Sequence, residues 1–204
     1  MTELLSGTNL CLLRGERCLF KDLEFALSAG ELLLVQGPNG SGKTSLLRAI
    51  AGLTGLEQGY ISWQGVRTDR DRHQFSADVV WLAHRVGFKG DLTLGENLRF
   101  EAGLRSSSLD NLEGIFERLG LTRLTELPMR SLSAGQQRRV ALARMLISDA
   151  RVWLMDEPFA NLDAAGHDLV IELIREHLAK GGLCVLAAHQ DVELAAPTHR
   201  IQLQ

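Results

Sequence analysis

Short apolar runs alternate with amphipathic stretches along most of the chain, the pattern of a parallel sheet whose strands are joined by crossover helices. Glu31–Gln36, Asp78–Leu82, Val152–Met155 and Leu183–Ala187 are apolar nearly throughout, which predicts strands covered on both faces. The amphipathic stretches predict helices over Thr44–Leu53, Leu109–Leu119, Ala134–Ile147 and Ala165–Lys180. The beginning of the chain has a different character. Leu4–Leu13, Leu19–Leu27 and Tyr60–Trp63 read as short strands joined by glycine-containing turns, which predicts a small antiparallel layer over about 1–30 and 60–64. Residues from about 92 to 132 read mostly helical between two sheet strands, hence an inserted helical subdomain within one domain spanning 1–204. No internal repeat or low-complexity segment interrupts this plan.

Composition narrows the setting. With 204 residues, 45% hydrophobic and 23% charged, the chain is expected to form one soluble globular domain. A net charge of −3 lacks the basic footprint of a nucleic-acid partner. No apolar run reaches about eighteen residues, and the start, Met1–Leu4, has no basic, apolar leader, so a cytoplasmic chain is expected. Cys11, Cys18 and Cys184 are odd in number, widely spaced and in no CxxC pair, which predicts reduced, buried thiols. His73, His167, His177 and His199 are scattered and read as solvated or structural.

The chemistry sits in two strand ends. Gly37-Pro38-Asn39-Gly40-Ser41-Gly42-Lys43-Thr44 fits GxxxxGK[ST] between a predicted strand and a predicted helix, with Ser45 following. Glycines let backbone N–H groups turn inward around phosphate oxygens, and the helix start aims its positive end at the same place. Lys43 is then placed for the β- and γ-phosphates and the Thr44 hydroxyl for Mg²⁺. Val152–Met155 ends in Asp156 and Glu157. Ligands of open α/β sheets gather at the carboxyl ends of strands, so Asp156 suits the Mg²⁺ shell and Glu157 the attacking water. Without the glycine loop, the same pair of acids would read equally well as a solvated turn.

Leu132-Ser133-Ala134-Gly135-Gln136 resembles the LSGGQ signature of the ABC ATPases, and Gln137–Arg144 continues as that signature helix does. On residue type alone, Ser133 is simply a good helix N-cap. The resemblance adds that Ser133, Ala134, Gly135 and Gln136 act in trans, on the γ-phosphate held by a second copy. It further implies a D-loop at Ala160–Asp163, with Asp163 at its end, and a switch histidine at His189. His84 falls where the family has its Q-loop glutamine, giving a catalytic or metal-touching role to an imidazole; a register one residue later would put Arg85 there instead. Arg14, before Gly15, stands where an aromatic usually stacks on adenine, and is either a stacking guanidinium or a solvated side chain.

The likeness covers the whole chain and implies a P-loop NTPase of RecA-like α/β type: a mostly parallel sheet core, an N-terminal antiparallel β layer and an inserted helical subdomain. His84, Asp91–Phe100 and Leu132–Arg144 look most like the ATP-binding subunits of haem exporters in cytochrome c maturation. That implies ATP and Mg²⁺ as cofactors and a homodimer with composite ATP sites. It also implies integral permease subunits of the CcmB/CcmC kind, on the cytoplasmic side of a bacterial inner membrane. Haem would be handled by those partners, since the chain has no CxxCH. An ABC ATPase for another cargo, or a nucleotide-gated switch with little hydrolysis, fits the same motifs. The segment from His84 to Phe100 is expected to transmit movement to membrane subunits, with Val86, Phe88 and Leu92 either touching them or lying in the core.

Overall fold

The computed structural model describes residues 3–105, 107–189, 192 and 196–204. The chain runs through β1 (Leu5–Arg14), β2 (Arg17–Leu27), β3 (Leu32–Gln36), α1 (Lys43–Ile50), β4 (Gln58–Trp63), β5 (Val66–Arg67), α2 (Arg72–Asp78) and β6 (Val79–Leu82). It continues with α3 (Leu94–Arg105), α4 (Leu112–Arg118), α5 (Ala134–Leu146), β7 (Val152–Asp156), α6 (Ala164–Ala179), β8 (Leu183–Ala187) and β9 (Thr198–Gln202).

The central sheet has the order β6-β7-β8-β3-β9, with every pairing parallel. Strands β6, β7, β8 and β3 carry no polar alternation because both their faces are covered. Leu33, Val35, Val152, Leu154, Leu183 and Val185 pack toward α1 and the second sheet, β2-β1-β4-β5. Their neighbours Leu32, Leu34, Trp153, Met155, Cys184 and Leu186 pack toward α3, α4, α5 and α6. Each fully buried Leu or Val contributes about 1.5–3 kcal/mol of transfer free energy, so a one-residue register slip in any of these strands is strongly opposed.

The four core strands match their apolar runs, and the second sheet is antiparallel as its turns predict. Three differences stand out. The helix after the glycine loop stops at Ile50 rather than Leu53, because Gly52 takes φ 71 and ends it. The helix expected from Leu109 begins only at Leu112. β9 and α2 were invisible to the pattern: β9, Thr-His-Arg-Ile-Gln, is a half-exposed edge strand, and α2 is a short polar helix capped by Asp71. Cys18 corrects a further expectation: Cys11 and Cys184 are buried, but Cys18 lies exposed near the start of β2, opposite Leu13. Among the described residues, no helix is long and apolar enough to cross a membrane.

Candidate nucleotide site

β3 delivers the chain into the loop at 37–42, and α1 begins at Lys43. Gly42 is the N-cap of α1 with φ 107, a conformation L side chains avoid, and a Cβ there would lie 3.2 Å from Leu19 Cβ. No side chain caps this helix, so its first N–H groups are left for an anion. The Lys43 amino group is buried and donates to the carbonyls of Gly37 at 2.7 Å and Pro38 at 3.1 Å. Its third contact is Nδ1 of His189, at 3.3 Å. Asn39, Gly40, Gly42, Lys43, Thr44 and Ser45 line a cavity of about 280 Å³. Gly37, Pro38 and Ser41 lie off its wall, and the buried Ser41 Oγ has no hydrogen-bond partner among the described residues.

The opposite wall comes from β7. Asp156 is only 1% exposed and accepts the Thr44 hydroxyl at 2.8 Å on Oδ2. Glu157 follows with φ 50, a left-handed conformation that costs a non-glycine residue about 1–3 kcal/mol and persists only where its surroundings enforce it. Its amide donates to Ala187 O at 2.9 Å, tying it to the end of β8. Because β8 lies between β3 and β7, the glycine loop and Glu157 stand one strand apart, and His189 just beyond β8 fills the gap. His189 Nε2 is 3.0 Å from Glu157 Oε1, and this buried Oε1 makes no hydrogen bond among the described residues. Because the Lys43 ammonium can only donate, His189 Nδ1 accepts this bond, which leaves Nε2 as the ring's donor atom.

His84 lines this same cavity and also the neighbouring one, which it shares with Arg85, Val86, Phe88 and Arg130; Arg85 lines only the second. Arg14 also lines the nucleotide cavity and is exposed, next to Leu19. Val86 and Phe88 are half-buried against the helical core, with the Arg144 guanidinium 5.3 Å from the Phe88 ring centroid.

Ser133, Ala134, Gly135 and Gln136 are elsewhere. Ser133 caps α5 through a reciprocal box: Gln136 N donates to Ser133 Oγ at 3.2 Å, and Ser133 N to Gln136 Oε1 at 2.9 Å. Ser133, Gly135 and Gln136 line a separate shallow cavity with Asn161 and Asp163, sharing no residue with the nucleotide cavity. Gly135 is required by close approach, since a Cβ would stand 2.8 Å from Asn161 O. Ala134 is exposed, so its methyl group is accommodated. Asp163 caps α6: its carboxylate accepts Gly166 N at 2.9 Å and faces Arg139 at 3.3 Å. The Gly166 amide first, then the Arg139 guanidinium, hold this carboxyl below the usual carboxylate range.

One residue escaped sequence reasoning. Arg138, in the helix after the signature, is 3% exposed and lies beneath Glu157. The only signal was helical spacing, since Arg138 stands three and four residues before the apolar Ala141 and Leu142, while in the chain itself it sits between Gln137 and Arg139.

Comparison with known proteins agrees with this geometry. Residues 20–160 match the ABC transporter family. The cytochrome c biogenesis ATP-binding export protein CcmA of Yersinia pestis is 40% identical over 200 residues, covering 98% of this chain and 91% of its own. The protein of the same description from Vibrio cholerae is 43% identical over 192 residues, covering 93% and 92%. A solved ATP-binding subunit of an ABC transporter superposes with a TM-score of 0.84 at 25% identity, over 91% of this chain and 79% of that one. A matched family over most of its length, and relatives of this identity over nearly all of it, show that the chain belongs to the ABC transporter family, as an ATP-binding subunit related to CcmA.

Proposed function

We propose that this chain is one half of an ATP-driven homodimer that powers haem export for c-type cytochrome assembly, docked on integral membrane subunits of the CcmB/CcmC kind at the cytoplasmic face of the inner membrane. The observation that carries the reading is the division of the motifs. Thr44, Asp156, Glu157, His84 and His189 share one cavity with the glycine loop, while Ser133–Gln136 open on another face. One chain therefore supplies both halves of a nucleotide site but cannot close them on each other. A second copy, related by a two-fold axis, can.

The donor set fits Mg²⁺. A hydroxyl and a buried carboxylate, 2.8 Å apart at the rim of an anion-binding loop, offer the oxygen ligands a hard cation takes, with phosphate oxygens and water completing its shell. Thr44 and Asp156 would hold it, with His84 within the same cavity. The ion would supply neutralising charge to the β- and γ-phosphates. The chain's own residues do the rest. Lys43 exchanges the Gly37 and Pro38 carbonyls for phosphate oxygens. Glu157, with a free lone pair on Oε1, orients the attacking water and takes its proton. His189 Nε2–H donates toward the γ-phosphate and leaves Glu157 unobstructed. Ser133 and Gly135 of the partner present the start of α5 to the same phosphate. Hydrolysis removes the bridging charge, and the copies part.

The cargo is assigned by relatives whose names place them in cytochrome c biogenesis export. The test is complementation in a bacterium deleted for its own CcmA but retaining the membrane subunits. The parent chain should restore haem-stained c-type cytochromes, and Glu157→Gln should not, although it accumulates at the membrane. Membrane association without restored cytochromes in the parent would point to another cargo.

A further inference from the structure

We propose that Arg138 is a positioning residue that couples the two ATP sites of the dimer, by clamping the signature helix of each chain to that chain's own Glu157 and His84 segments. This inference rests on the dimer reading above.

Arg138 lies on α5, five residues beyond the Ser133 cap and about 8 Å along the axis. Its guanidinium is buried and finds no carboxylate partner among the described residues. It donates instead to four backbone carbonyls on two other segments. Nη2 bonds Asp156 O at 2.7 Å and also Glu157 O, Nε bonds Pro158 O at 3.3 Å, and Nη1 bonds Ala83 O at 2.8 Å. Three of these acceptors surround the left-handed Glu157 backbone, and the fourth immediately precedes His84. Burial lowers the guanidinium to about 10, so it stays charged at neutral pH and makes charge-assisted bonds.

A planar fork on four carbonyls admits only a narrow range of placements. When α5 shifts, the carbonyls at 156–158 and 83 must follow or lose their donor. A phosphate of the partner's nucleotide meeting Ser133 therefore acts on Glu157 and His84 of the same chain, in the opposite site. Arg144 provides the contrast. It is a second poorly exposed arginine on α5 that also grips the His84 segment, bonding Trp81 O at 3.1 Å and Val86 O at 3.3 Å, but makes no bond to 156–158, so its loss spares the arm on Glu157.

The test compares the parent chain with Arg138→Gln, Arg138→Lys and Arg144→Gln, measuring Mg-ATP turnover, its Hill coefficient and the melting temperature. Arg138→Gln is expected to lower kcat about tenfold or more while KM stays within about twofold, and to bring the Hill coefficient to about 1. Arg138→Lys keeps the charge and recovers the melting temperature but not the cooperativity. Arg144→Gln melts lower yet keeps the parent Hill coefficient. Should Arg138→Gln not fold, Arg138→Lys alone carries the comparison. Cooperativity retained in the Arg138 variants, or lost equally in Arg144→Gln, overturns the coupling role. These outcomes are separable from failure of the dimer reading, which would show as Glu157→Gln remaining monomeric with Mg-ATP in an otherwise parent chain.

Discussion

His177 makes a quantitative test of the packing behind β7. Its ring stacks on Trp153 at 4.0 Å between centroids, and Nε2 lies 3.2 Å from Leu183 O. Burial outweighs the hydrogen bonds to Leu183 and Arg151 carbonyls and holds the imidazole down to about 4. In the unfolded chain the ring titrates at its ordinary value of about 6.5. The unfolded state thus takes up a proton that the folded state refuses. Stability is fully present above about pH 6.5 and is lost as pH falls toward 4. A difference of about 2.5 pK units amounts to about 3 kcal/mol in full, and about 2 kcal/mol of it is gone by pH 5. That is a large part of a typical domain stability of about 5–15 kcal/mol. His177→Phe preserves the stack and cannot titrate. It is expected to start about 1 kcal/mol weaker at pH 7, for the lost hydrogen bonds. Between pH 7 and 5 it should then lose about 2 kcal/mol less than the parent. Urea unfolding at both pH values in the absence of nucleotide reads this directly. Equal acid losses in parent and variant would refute the reasoning.

Gly135→Ala places a methyl carbon where Asn161 O stands at 2.8 Å, so the signature and D-loop must separate; ATP-driven pairing should weaken about tenfold or more, while nucleotide affinity of the isolated chain, by fluorescence titration, stays within about twofold. Ala134→Gly, at an exposed position, should leave pairing unchanged. Thr44→Val removes the hydroxyl that bonds Asp156 and should raise the Mg²⁺ concentration for half-maximal turnover about tenfold, with Mg²⁺-free nucleotide binding retained.

Most of the fold was legible because its strands are buried on both faces and therefore uniformly apolar, as Val152–Met155 and Leu183–Ala187 illustrate. β9 was not, because an edge strand needs only alternate contacts and can carry Thr198, His199 and Arg200. In the site, glycine spacing and strand-end acids pick out Lys43, Thr44, Asp156 and Glu157, which line one cavity, but not Leu19, which lines it too. What the chain could not disclose was backbone state and tertiary partnership. Nothing in Glu157 signals φ 50, and nothing in Arg138 signals four carbonyl partners drawn from residues 83 and 156–158. Likewise, a one-residue shift from His84 to Arg85 is open in the sequence; the turn after β6 brings His84, and not Arg85, to the cavity of the glycine loop.

The central claim is a nucleotide site completed by a second copy. It is tested most directly by sedimentation velocity of Glu157→Gln with Mg-ATP, with ATP and EDTA, and without nucleotide. The account predicts a dimer with Mg-ATP and monomer in the other two conditions, the dimer abolished by adding Ser133→Glu, which sets a carboxylate against the partner's γ-phosphate. A monomer under all three conditions, with ATP demonstrably bound, would contradict it.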